Sequence, residues 1–178
     1  MSVVLPYGDK SPSLSESAFI APNTSIIGDV VVADEASIWF GSTLRGDVMP
    51  IRIGARTSIQ DGSVVHATDG WAPTIVGEDC VVGHGVILHG CTVGDRVLVG
   101  MGAIILDEVE IGDDVLIAAG SLVTARTKIP SGSLVMGSPA KVRRDLTQEE
   151  RASILEGAAH YVKKTKDYLA LMASQRAT

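Results

Sequence analysis

Aromatic residues are scarce in this chain, at 4% of 178 residues, with two Phe, two Trp and three Tyr. A core of stacked rings is therefore excluded, and Ile and Val must fill the interior. Cysteine is limited to Cys80 and Cys91, in no C-x-x-C spacing. That rules against a disulfide framework and reads as reduced thiols packed like small apolar side chains. No apolar run approaches the length of a membrane span. The opening MSVVLPYGDKSPSL lacks the basic and then apolar pattern of a signal peptide. A cytoplasmic location with no membrane partner is the expectation. The net charge of −6 leaves no basic footprint for nucleic acid. Only the segment from Lys141 onward is mildly basic, with 8 basic and 5 acidic residues, as expected of a solvated helix face.

What is present is a period. Ile75, Val81, Ile87, Val93, Val99, Ile105, Ile111, Ile117, Val123, Ile129 and Val135 follow one another at six-residue steps. Ile20, Ile26, Val32, Ile38 and Leu44 form an earlier run, and Ile53, Ile59 and Val65 a middle one. A step of six is neither helical nor a simple strand alternation; it marks a parallel β-helix of hexapeptides, three to a triangular coil. The fold class is thus all-β, a left-handed parallel β-helix of hexapeptide repeats with a C-terminal α-helix. The hand is the one such repeat proteins adopt and is not contained in the period. One domain is expected, with the β-helix over about 15–140 in six to seven coils and the helix over 147–173. Thr147 and Glu150 have the spacing of a capping box. Ile154, Leu155, Ala158, Tyr161, Val162, Leu169 and Met172 form an apolar stripe, with a bend expected at Gly157.

The period breaks twice. Leu44 to Ile53 is longer than one step and carries Arg45, Gly46 and Asp47; Val65 to Ile75 is longer again and begins with His66 in HATDGWAP. Insertions in a repeat mark loops with a function. His66, His84 and His89 all lie off the inward column, so they face outward or sit at corners. Imidazoles are good ligands for Zn²⁺, and three of them leave a fourth position for water. One outward prism face does not surround an ion, whereas two faces brought together in an oligomer do. Gln60 and Asp61 flank a strand-to-corner transition nearby, and Arg45 and Asp47 have the spacing of an ion pair.

LRGDV, IGARTSIQDGSVVH, VGHGVILHGCTVGDRVLVG and GSPAK together resemble the γ-class carbonic anhydrases over about residues 10–172. The resemblance implies a homotrimer with a metal site at each subunit interface, His66 and His89 coming from one subunit and His84 from its neighbour. It places Arg45 and Asp47 on an intersubunit ion pair, Gln60 and Asp61 beside the solvent ligand, and Tyr161 reaching toward the site. The implied activity is reversible hydration of CO₂ to bicarbonate with Zn²⁺, Fe²⁺ or Co²⁺ as cofactor. Two departures stand out. Ser58 replaces an Asn common in relatives, and the loop after His66 lacks a glutamate-rich insertion, leaving Asp69, Glu78 or buffer to take the proton. Two alternatives remain open: a catalytically weak or inactive metal-binding trimeric scaffold, and an acyltransferase or thioesterase acting on coenzyme A esters.

Overall fold

The computed structural model describes residues 2–176. Nearly all strands are short and pair in parallel with the strand one coil away, giving a triangular β-helix of about seven turns. Two of its faces form one sheet, because the long strands Ser25–Val32 and Thr43–Ile53 run round a corner and belong to both. A Cβ on either Gly28 or Gly46 would strike backbone of the other strand at that corner, so the turn demands glycine there. The first face stacks the start of Thr43–Ile53 with Val64–His66, Ile87–His89, Ile104–Ile105 and Leu122–Val123. The second stacks the end of that strand with Thr74–Val76, Thr92–Val93, Glu110–Ile111 and Lys128–Ile129. The third runs from Phe19–Ile20 through Ser37–Ile38, Ser58–Ile59, Val81–Val82, Leu98–Val99 and Leu116–Ile117 to Ser133–Gly137.

The interior is a column of aliphatics: Ile59, Val65, Val76, Val82, Leu88, Val93, Val99, Ile105, Ile117 and Val123 are all buried. Each contributes about 1.5–3 kcal/mol by leaving water. The six-residue step holds from Val93 upward, but its first three slots are displaced by one. Ile75 and Ile87 point outward and Val81 faces the helix side, while Val76, Val82 and Leu88 point in. Both members of each pair are aliphatic, and a one-residue slip exchanges the two sides of a strand. The step from Leu88 to the inward residue of the next strand, Val93, is correspondingly one short.

The ends of the solenoid are closed differently. Val3–Leu5 adds one more parallel strand beside Ser25–Ile27 at the lower end. At the upper end Ala140–Asp145 turns back antiparallel on Ser133–Gly137. The helix Gln148–Arg176 then packs against the third face at Ser37–Ile38 and Val81–Val82. Its capping box forms as expected: Thr147 N–H donates to Glu150 at 2.9 Å and Glu150 N–H to Thr147 Oγ1 at 3.2 Å. The helix is longer than expected and unbroken at Gly157. Ile154 and Ala158 are buried, whereas Leu155 and Leu169 are exposed and lie outside the packed stripe. Five of the few aromatics gather under it, Phe19 and Trp39 with Phe40, Tyr161 and Tyr168. Both cysteines are buried and unpaired, and no described helix is long and apolar enough to cross a membrane.

Candidate functional site

The corner between the first and second faces carries two of the three histidines. His66 follows the inward Val65 and His89 the inward Leu88, so the corrected register places the two side by side on adjacent coils. His66 Nδ1 lies 3.2 Å from His89 Nε2. The other nitrogen of each ring meets a carboxylate. His66 Nε2 is 3.1 Å from Asp47 Oδ1, and His89 Nδ1 is 3.0 Å from both oxygens of Asp107. A carboxylate accepts the N–H and so fixes which ring nitrogen keeps its lone pair. Burial holds His66 below the usual imidazole range, only partly offset by Asp47.

Both breaks in the period serve this corner. The first carries Asp47 to His66; Asp47 also pairs with Arg45 within the same protomer. Burial opposes ionisation of Asp47, but the hydrogen bonds from Arg45 and His66 outweigh it and its carboxyl stays below the usual range. The second break is the loop 67–73, whose Thr68 N–H reaches Asp107 at 3.4 Å. Its last neighbour Thr74 clamps the corner, donating to His66 O at 2.6 Å and accepting from Gly90 N–H at 2.9 Å. Gly90 is left-handed (φ 57°), and a Cβ there would collide with the Asp107 carboxylate. Only glycine lets that carboxylate sit over His89.

Asp107 was not among the residues singled out from the sequence. The available signal was spacing: it lies 18 residues after His89, one coil up the same corner.

His84 is elsewhere. It occupies the corner between the third and first faces, so His84 and His89 stand at opposite edges of the first face and do not meet within one chain. Among the described residues no chain-internal cluster of three or more His, Cys, Asp or Glu is close enough to hold an ion. His84 repeats the pattern of the other two rings, with Nδ1 3.0 Å from Asp61 Oδ2 and the ring half-exposed. Asp61 thus serves His84 directly. Gln60 is buried beside it and lines the same groove as Tyr161, whose phenol is pushed up by burial and by the Asp61 charge. Gln60, His84 and Tyr161 share an open groove of about 400 Å³ with Val81, Leu98 and Met101. Ser58 is fully buried and accepts the Trp39 indole N–H at 3.0 Å. Of the suggested proton acceptors, Asp69 is exposed on the loop 67–73, while Glu78 sits on the far corner, bound to Arg56.

Between the two histidine edges the first face is apolar. Its outward column Val64, Ile87, Ile104 and Leu122 stacks in register, and Val64 and Ile87 are each more than a third exposed.

Comparison with known proteins is consistent with this architecture. Residues 90–125 match the bacterial transferase hexapeptide model (six repeats). A carbonic anhydrase of Geobacillus kaustophilus is 46% identical over 169 residues, covering 95% of this chain and 92% of its own. Gamma carbonic anhydrase 1, a mitochondrial protein of Arabidopsis thaliana, is 45% identical over 86% of this chain and 58% of its own longer one. The crystal structure of a hexapeptide transferase family protein from Anaplasma phagocytophilum superposes with a TM-score of 0.90 at 43% identity, over 93% of this chain and 98% of that one.

Proposed function

The chain belongs to the γ-class carbonic anhydrase family, and from that membership we propose that three copies form a ring holding one divalent ion at each interface and hydrate CO₂ reversibly to bicarbonate. The observation that carries this reading is the pair of facing ring nitrogens on His66 and His89. With their N–H groups engaged by Asp47 and Asp107, both present lone pairs to one another, an arrangement that a shared cation relieves. Two nitrogens bound at about 2.0–2.1 Å to one tetrahedral ion stand about 3.3–3.4 Å apart, close to the 3.2 Å found. The donor set fits Zn²⁺, and equally Fe²⁺ or Co²⁺.

The third ligand comes from the neighbour. His84, with Asp61 on its Nδ1, leaves Nε2 free at the opposite edge of the same apolar face. A contact joining one edge to the other is heterologous and generates a closed ring when the rotation per subunit allows. The triangular section and the exposed Val64 and Ile87 favour closure at three. Arg45 lies at the His66 edge and supports the contact from Asp47.

A divalent ion held by His66, His89 and the neighbour's His84 would supply hydroxide near neutral pH, since such an ion lowers the pKa of water from 15.7 toward about 7. The protein's own groups do the rest. Gln60, beside Tyr161, would orient the attacking solvent or the nascent bicarbonate through its carboxamide. Asp61 keeps His84 in the tautomer that presents Nε2. The exposed Asp69 passes the proton to buffer. The β-helix and the helix act as one domain, in the cytoplasm.

Likeness to a hexapeptide transferase family protein favours a second reading, acyl transfer from coenzyme A esters. Against it, three of the four histidines are engaged by carboxylates, and His160 lies on the helix beside Tyr161. The deciding experiment is elemental analysis of anaerobically purified protein, followed by a stopped-flow CO₂ hydration assay on the same sample. One ion per protomer with hydration supports the proposal. A metal-replete but inactive protein favours a scaffold, and protection by acetyl-coenzyme A favours acyl transfer.

A further inference from the structure

Five aromatic rings are packed under the helix, but Trp71 stands at the tip of the loop 67–73 with 53% of its surface exposed. The Arg126 guanidinium lies 5.8 Å from its ring centroid and Glu108 holds Arg126 in turn at 2.6 Å. The indole is therefore supported on the first-to-second corner, yet one side of it faces water. At the other edge of the first face, the groove beside His84 is lined by Val81, Leu98, Met101, Leu116, Ala119 and Tyr161. It too is open, and Met101 is 58% exposed.

The coils put these two features at matching heights. His84 and His89 belong to one coil. One coil up, Asp107, which takes the Thr68 N–H, shares its turn with Met101. One coil further, Arg126 under Trp71 shares its turn with Ala119. The loop climbs its corner through the same three levels that the groove climbs on the opposite corner. Any rotation about an axis parallel to the prism that brings His84 of one copy to His66 and His89 of the next also brings Met101 and Ala119 to Thr68 and Trp71.

We propose that Trp71 of each protomer seats in the groove of its neighbour, roofing the space beside His84 into a small apolar chamber that admits an uncharged substrate. The proposal rests on the shared-histidine reading above. An indole buries about 150–250 Å² and is a typical anchor at the centre of an interface. It narrows a groove of this size, so the chamber left over takes a small molecule and leaves no room for a coenzyme A ester.

Two measurements on the full-length protein test this. The Trp39 indole is buried, so subtracting the emission of Trp71→Phe from that of the wild type isolates Trp71. In the assembled protein it should emit to the blue of free tryptophan and resist acrylamide. Separately, Trp71→Cys combined with Met101→Cys should give covalent dimers and trimers with a short bis-maleimide, and neither single variant should. Cys80 and Cys91 stay silent, because burial pushes both thiols up to about 12. A metal-loaded trimer by light scattering whose Trp71 is quenched as freely as free tryptophan, and whose paired cysteines do not link, overturns this inference and leaves the shared site standing. A protein that stays monomeric overturns both.

Discussion

Two corners of the same prism use aspartate in opposite ways. On the second-to-third corner, Arg56 binds Asp79 at 2.6 Å and Glu78 at 2.8 Å. Two coils above Arg56, Arg96 binds Asp114 at 2.8 Å and Asp113 at 3.4 Å, and Arg151 of the helix adds to Asp114. Arg56, Asp79, Arg96 and Asp114 all adopt left-handed backbone there, so the ladder also ties down strained turns. On the first-to-second corner Asp107, and Asp47 beside its pair with Arg45, each meet an imidazole. A guanidinium has only donors, so an Arg–Asp ladder is complete in itself. A neutral imidazole that donates from one nitrogen still accepts at the other. The same corner geometry is a finished strut in one place and an open ligand set in the other.

If that contrast is right, substitutions at the two corners separate metal binding from stability. The largest effect falls on the ligands: His84→Ala or His89→Ala should reduce metal content by elemental analysis to near zero and abolish hydration, with the circular dichroism of the β-helix unchanged. Full occupancy in either variant would break the comparison. Next comes Asp107→Ala, which leaves His89 in place but frees its tautomer. Chelator competition should show affinity weaker by about 10–100-fold, and Asp107→Asn should fall between it and wild type. Smaller still, Arg96→Ala should leave metal affinity as it is and lower stability in urea by about 1 kcal/mol or less, as for partly exposed pairs. Loss of metal in that variant would show that the corners are coupled.

The smallest effect is at the helix cap. The Arg144 side chain and the Thr147 N–H hold the Glu150 carboxyl down at about 2, from 4.5. Its stabilising contribution is present above pH 4.5 and fades as pH falls toward 2. Glu150→Gln should therefore be less stable than wild type at neutral pH, and the two should converge over that acid window.

The coils were legible because an aliphatic residue, β-branched at nearly every position, recurs at the inward slots. What the period did not settle was which of Ile75 and Val76, Val81 and Val82, or Ile87 and Leu88 points inward, since both members of each pair are apolar. That one-residue ambiguity hid the pairing of His66 with His89, which are 23 residues apart and coincide only once the insertion is placed correctly. The histidines themselves stood out as polar residues off the column. Asp107 did not, since LDEVE reads like any acidic corner, and its role depends on Gly90 leaving room below it. Asp61 was expected near the solvent ligand and is found on His84, a contact set by which coils stack. Glu78 was a plausible proton acceptor by composition alone, and the arginine ladder claims it.

The reversal of Ala140–Asp145 against Ser133–Gly137 has a consequence for the whole particle. A parallel solenoid is an extensible lattice: its last coil offers the same hydrogen-bonding rim as every coil beneath it, to its own chain or to a foreign one. Folding a strand back the other way gives that rim a partner of opposite polarity, so stacking stops at a defined height. The histidine tiers lie well below that terminus, so a duplicated turn inserted between them and the reversal would make a taller molecule with an unaltered waist.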